Sequence, residues 1–250
     1  MLKSSDQITN LSDFILVVSG FGRSSLGQMA SDLLIFNMKL KKQSSIYLSS
    51  LPPLVGINPY GESDQLHLAT NCQLFADPTK KLAVLLIRSR PNNNKKFIEQ
   101  LSTEIHQLKP AKVIILCDSF VSNRRPTSEV NGLFHHSLAP INSDSKDKLL
   151  QIGAREFESL TAEQLGLEAE TGSNLSLPNT GPTKGLFLNL SKLDLSVLLL
   201  IYYPSGGSTL RPLFDFTSAI AKFLSLEPNE WKTPPSFDYL VAHKVNPQLY

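Results

Sequence analysis

The sequence predicts a single α/β domain: a mixed, mainly parallel sheet with helices on both faces. Three observations predict it. Phe14–Val18, Leu82–Ile87, Val113–Leu116 and Leu195–Tyr203 are almost wholly apolar runs, the pattern of strands buried on both sides. Segments with the 3.6-residue helical period alternate with these runs, which favours parallel pairing through crossover helices. No repeat or charge run divides the chain, and 250 residues suffice to bury a sizeable core. The expected organisation is an α/β domain over 1–230 and an extended C-terminal tail over 231–250.

The elements follow in order. Phe14–Val18 is the first strand, and Ser19-Gly-Phe-Gly-Arg-Ser24 is a loop. A helix follows with Leu26, Met29, Ala30, Leu33, Leu34 and Met38 on one face, and Ser25 with Gln28 forms a capping box at its start. Ile46–Leu48 is a short strand. From Leu66 to Leu74 the residues alternate, with Leu66, Leu68, Thr70, Cys72 and Leu74 on one side and a wet face on the other. Asp77-Pro78 turns this strand into Leu82–Ile87, so the pair is a hairpin. The next helix places Phe97, Ile98, Leu101, Ile105 and Leu108 inside and ends before Pro110. Val113–Leu116 is a further strand. Residues 124–165 hold a strand near Leu133–Ser137 and one or two short helices. Residues 166–185, rich in Gly, Ser, Asn, Thr and Pro, form a long loop. After Leu195–Tyr203, the last helix starts near Ser208 or Thr209, with Leu210, Leu213, Phe214, Thr217, Ile220, Ala221 and Leu224 inward.

Composition narrows the function. A net charge of +2 exerts no general pull on nucleic acid or anionic lipid. The pairs Arg88/Arg90 with Lys95/Lys96, and Arg124/Arg125, lack interleaved aromatics and read as solvated loop and helix-start charges. Cys72 and Cys117 fit no metal spacing and read as free thiols in a reducing compartment. No signal peptide is predicted, and the longest apolar stretch is far too short to span a membrane. The sequons at Asn10, Asn174 and Asn189 are then chance matches.

Four features of the sequence could carry chemistry. The loop between the first strand and the first helix is where doubly wound folds bind nucleotides. Here the dinucleotide fingerprint fails at Ser25, and the phosphate-loop pattern fails at Gln28 and Met29. The loop could still offer backbone N–H groups to an anion, but its ordinary reading is a structural turn. Cys117 sits at a strand end without the glycines of a nucleophile elbow. His67, His106, His135 and His136 are scattered, and the last two point to opposite faces of a strand. Asp118, Glu129 and Asp144 form no carboxylate pair, and Trp231 packs at the core margin. The expectation is no catalytic residue, no cofactor and no metal.

The tail, Asn246-Pro247-Gln248-Leu249-Tyr250, pairs two apolar side chains with the α-carboxylate. Three prolines follow Trp231 and favour an extended course. Taken alone this reads as an ordinary solvated terminus, yet such termini are also recognised through their carboxylate.

Three segments together resemble one family. They are Leu26-Gly-Gln-Met-Ala-Ser-Asp-Leu-Leu-Ile35, Val55-Gly-Ile-Asn-Pro-Tyr60, and Trp231-Lys-Thr-Pro-Pro-Ser236 with the residues after it. Their order and spacing are similar to those of the proteasome assembly chaperone 2 family. The Val55–Tyr60 block is the most specific of the three. Ser24-Ser25-Leu26 stands where the family tends to have Gly-Asn-Val, and the terminal tyrosine is displaced by one place. The resemblance implies a chaperone that is not an enzyme. It implies a heterodimer with proteasome assembly chaperone 1 that promotes formation of the α-ring of the 20S proteasome, in cytoplasm and nucleus. It implies that Gln248, Leu249 and Tyr250 dock between adjacent α subunits, the carboxylate near a lysine. The competing readings are a nucleoside phosphorylase or hydrolase using the Gly20–Gly27 loop, and a generic α/β interaction module.

Overall fold

A computed structural model describes residues 10–61, 68–119, 132–157, 177, 180–204, 210–226, 228 and 230–237. In chain order the elements are β1 (Ile15–Ser19), α1 (Leu26–Asn37), β2 (Lys41–Ser45), β3 (Val55–Gly56), β4 (Ala69–Thr70), β5 (Cys72–Asp77) and β6 (Leu82–Ile87). Then come α2 (Asn94–Leu108), β7 (Lys112–Asp118), β8 (Gly132–His136), α3 (Ser143–Gln151), β9 (Arg155–Glu156), α4 (Thr183–Leu190), β10 (Val197–Tyr203) and α5 (Leu210–Phe223). A 3-10 turn, Pro235–Phe237, follows.

Eight strands form one mixed sheet in the order β2-β5-β6-β1-β7-β10-β8-β9, and β3 pairs β4 in a small separate ladder. The four apolar runs are its centre. β1 lies parallel between β6 and β7, with Val17 opposite both Val84 and Ile114. β10 continues the parallel block beyond β7. β5 is antiparallel to β2 and β6, and β8 is antiparallel to β10.

Each central strand feeds two cores by its period of two. Leu16, Val18, Leu85, Ile115 and Leu199 enter one, with Phe97, Leu101 and Ile105 of α2 and Leu186 and Phe187 of α4. Val17, Val84, Ile114 and Leu198 enter the other, with Leu33 and Leu34 of α1, Leu149 of α3 and Phe216 of α5. Helices therefore cover both faces, as predicted.

Several local expectations are corrected. Ser25 is in the left-handed region at φ 55° and makes no side-chain cap, so the Ser25–Gln28 box does not form. The strand expected at Ile46–Leu48 lies earlier, at Lys41–Ser45. The alternating run breaks at Asn71, and in β5 Cys72 through Ala76 are all buried, Gln73 included. The wet face is absent because α2 and α1 pack against opposite sides of this end of the sheet. Thr183–Leu190 is a helix that the loop-like composition of 166–185 concealed; its start lies inside that stretch. In α5 the fully buried aromatic is Phe216, whereas Phe214 is only partly covered.

Candidate interaction surface

The first loop follows β1 and is closed from within. Asp118, the last residue of β7 and fully buried, turns its carboxylate toward it. Oδ2 accepts from Ser24 N at 2.7 Å and Oδ1 from Leu26 N at 2.9 Å. Thr183 Oγ1 accepts from Phe21 N at 2.7 Å and donates to Phe21 O at 3.1 Å. Gly20 N donates to Leu116 O at 2.7 Å. A methyl group on Gly22 would sit 2.1 Å from Asp118 Oδ1, and one on Gly20 2.4 Å from Leu116 O. The glycines are thus there for close packing of backbone on β7. The N–H groups that could cradle a phosphate already hold a carboxylate, whose negative charge occupies the α1 N-terminus. Burial pushes the Asp118 carboxyl above its ordinary range, and the backbone donors pull it back. Sequence reasoning missed this role. The available signal was an acid ending a buried strand next to β1.

The Val55–Tyr60 block combines one anchored residue with several exposed ones. Tyr60 Oη donates to Asp32 Oδ1 at 2.7 Å, and Arg88 donates to the two Asp32 oxygens at 3.0 and 3.2 Å. Arg88 also reaches Tyr60 Oη at 3.2 Å. The Tyr60 ring meets Phe75 edge-on, with centroids 5.8 Å apart, and stacks near Phe36. Arg88 is therefore a structural ion-pair partner, not the solvated loop charge expected. Burial raises the Asp32 carboxyl pKa while Arg88 and the Tyr60 hydroxyl oppose that rise. Burial works against the Arg88 charge, but Asp32 beside it holds its pKa above the ordinary value. The sequence signal was an acid inside the apolar run of α1.

Around this anchor the surface is apolar. Ile57 is 86% exposed and Val55 67%, with Leu54 and Leu68 about half exposed. Isolated exposed apolar residues are ordinary; a contiguous group marks an interaction surface. A groove of about 530 Å³ runs between the end of α1, β2 and Asn58–Tyr60. A second, of about 320 Å³, is lined by Leu54–Ile57 and shares Pro59 and Ala69 with it.

Residues 231–237 pack on this side. Lys232 N donates to Asn37 Oδ1 at 2.8 Å, Ser236 N donates to Pro59 O at 3.2 Å, and Phe237 is buried. Trp231 packs partly buried on the second core. Gln248, Leu249 and Tyr250, the residues expected to dock, lie outside the described residues, together with His67, Glu129 and Arg124/Arg125.

The other candidates hold no reactive constellation. Cys72 and Cys117 are buried and unpaired. Burial pushes the Cys72 thiol up to about 12 and the Cys117 thiol higher still, so neither is a ready thiolate. His136 packs against Phe157 and Phe187, while its neighbour His135 projects to the opposite face of β8. Among the described residues no group of three or more His, Cys, Asp or Glu side chains could hold a metal, and no helix is long and apolar enough to cross a membrane.

Comparison with known proteins agrees with the fold. No family model matches the chain. It is 27% identical over 241 residues to proteasome assembly chaperone 2 of Xenopus tropicalis, covering 92% of each chain. It is 25% identical over 256 residues to the human protein of that name, covering 96% of each. Among solved structures it resembles PbaA of Pyrococcus furiosus, an archaeal homolog of proteasome-assembly chaperone, with a TM-score of 0.61 at 12% identity, over 93% of this chain and 88% of that one. A protein of unknown function from Thermoplasma acidophilum gives 0.67 at 13%, over 97% and 92%. The chain is thus similar along nearly all its length to proteins named proteasome assembly chaperone 2.

Proposed function

We propose that this relative of the proteasome assembly chaperone 2 family is itself a proteasome assembly chaperone and acts through protein surfaces. The observation that carries the reading is similarity along almost the whole chain to proteins of that name. The site supports it. The first loop spends its backbone donors on Asp118 and Thr183, which weighs against the phosphorylase-like alternative. The exposed apolar group around Val55–Tyr60 suits partner binding.

In its finer form the proposal is a 1:1 heterodimer with proteasome assembly chaperone 1, burying on the order of 2,000 Å² or more. The pair promotes α-ring formation of the 20S proteasome in cytoplasm and nucleus, with Gln248, Leu249 and Tyr250 docking on the ring. Affinity purification of the chain with mass spectrometry tests the partners: proteasome α subunits and the second chaperone are the expected catch, and their consistent absence overturns the reading. Deleting Gln248–Tyr250 tests the tail. Burying an aliphatic side chain contributes about 1.5–3 kcal/mol and a charge-assisted hydrogen bond about as much. After the cost of ordering the tail, ring affinity should fall by roughly one to three orders of magnitude, with the heterodimer intact. Unchanged ring affinity would make the tail an ordinary terminus.

A further inference from the structure

Residues 231–237 are fastened to the body at two places. The first is Asn37, the last residue of α1. Its Oδ1 accepts from Lys232 N at 2.8 Å, and its Nδ2 donates to Lys232 O at 2.8 Å and to Leu33 O at 2.9 Å. One side-chain amide thus pairs both main-chain groups of Lys232, as a neighbouring strand would, and the bond to Leu33 fixes its plane. The second place is the turn Pro59–Gly61. Ser236 N donates to Pro59 O at 3.2 Å, and Phe237 N closes the 3-10 turn on Pro234 O at 2.8 Å. Gly61 has φ 66°, and a methyl group there would stand 2.7 Å from Pro235 Cγ. Tyr60, between Pro59 and Gly61, is itself held by Asp32 and Arg88.

Core packing accounts for the buried Phe237 and the half-buried Trp231. It does not account for the clamp on Lys232, which is exposed and has water available to its main chain. A clamp at the surface orders the path of the chain. Residues 238–250 follow directly and end in Gln248–Tyr250. We propose that Asn37 and the Pro59–Gly61 turn form a seat that sets where the C-terminal segment leaves the body. The seat thereby raises the local concentration of the terminus at a partner that the body also holds. That partner is the proteasome α-ring, so the inference rests on the tail-docking reading above. Without the seat the last fixed point is Leu226, whose N–H donates to Ala221 O at 2.9 Å. The tether then lengthens from 238–250 to 227–250. Effective concentration falls as the −3/2 power of tether length, which here is a loss of about threefold.

The test pairs hydrogen exchange with ring binding, using the full-length chain with its co-purified partners and the 20S proteasome as probe. The amides of Lys232, Ser236 and Phe237 should be protected. Asn37→Asp keeps the size of the side chain but sets an oxygen against Lys232 O and Leu33 O, and it should expose them. Gly61→Ala should do the same. Gly56→Ala, where an added methyl group meets open space, should not. Asn37→Asp and Gly61→Ala should each weaken ring affinity about threefold, and neither should weaken it further in a chain lacking Gln248–Tyr250. General destabilisation would lower affinity with or without the terminus. Unprotected amides in the wild-type chain, unchanged ring affinity on release, or an equal loss in the truncated chain overturns the inference. Tail docking stands in each of those cases if the truncation alone weakens binding. A truncation without effect removes tail docking, and this inference with it.

Discussion

The Ser19–Leu26 loop and the Val55–Tyr60 stretch are both short and glycine-bearing, yet they treat their polar and apolar groups in opposite ways. In the first, the N–H groups of Gly20, Phe21, Ser24 and Leu26 are bonded inward, to Leu116 O, Thr183 Oγ1 and Asp118. In the second, Tyr60 alone is tied into a buried network, with Asp32 and Arg88, while Val55 and Ile57 stand in solvent. A loop that satisfies itself has little left with which to bind; a rigidly anchored loop with bare apolar side chains has surface to offer. The place where α/β folds commonly hold small ligands is closed here, and the surface suited to contact has moved toward the sheet edge.

The contrast can be broken at its closed end first. Asp118→Ala leaves two backbone donors without an acceptor, one of them fully buried, and should cost about 3 kcal/mol or more in urea unfolding. Asp118→Asn keeps one acceptor oxygen and should cost less. If both variants were near neutral, the loop would not be held as described.

The anchor of the open end comes next. Arg88→Ala strands the Asp32 carboxylate and should destabilise by about 3 kcal/mol. Tyr60→Phe removes one hydroxyl from the same network and should cost about 1 kcal/mol. A double-mutant cycle between Arg88 and Tyr60 should show coupling, since they share Asp32; strict additivity would deny the network.

A pH titration of thermal stability probes the far edge of the sheet. Burial depresses the pKa of His135 and His136 below the ordinary 6.5. Protons therefore bind the unfolded chain more readily, so this contribution is complete above about pH 6.5 and is lost as pH falls through the folded values. Stability should decline between pH 7 and 5, and His135→Gln/His136→Gln should flatten that decline. An unchanged slope in the double variant would assign it elsewhere.

The smallest effect belongs to the exposed residues. Ile57→Asn and Val55→Asn should each shift unfolding free energy by no more than about 0.5 kcal/mol. A loss of 2 kcal/mol at Ile57 would mean that the stretch packs in solution and is not free surface.

Fold class and the four central strands were legible because a strand buried on both faces must be apolar at every position, whatever it pairs with. The same local logic exposed α1, α2, α5 and the β5–β6 hairpin, whose periods are written into neighbouring residues. The Val55–Tyr60 block was recognisable as a pattern, although nothing in it said that Tyr60 would be buried and Ile57 bare. What only tertiary structure decided were the pairings between distant residues. Asp118 caps α1 from 92 residues away, in place of the Ser25–Gln28 box that local spacing suggested. Arg88 finds Asp32 across 56 residues, turning a surface-looking charge into a buried one. Strand order also lay beyond a local reading: whether Lys41–Ser45 is central or edge depends on which strands arrive beside it, and so does whether its lysines are shielded or open. A sequence window records what a residue needs; which partner meets the need depends on where the chain returns.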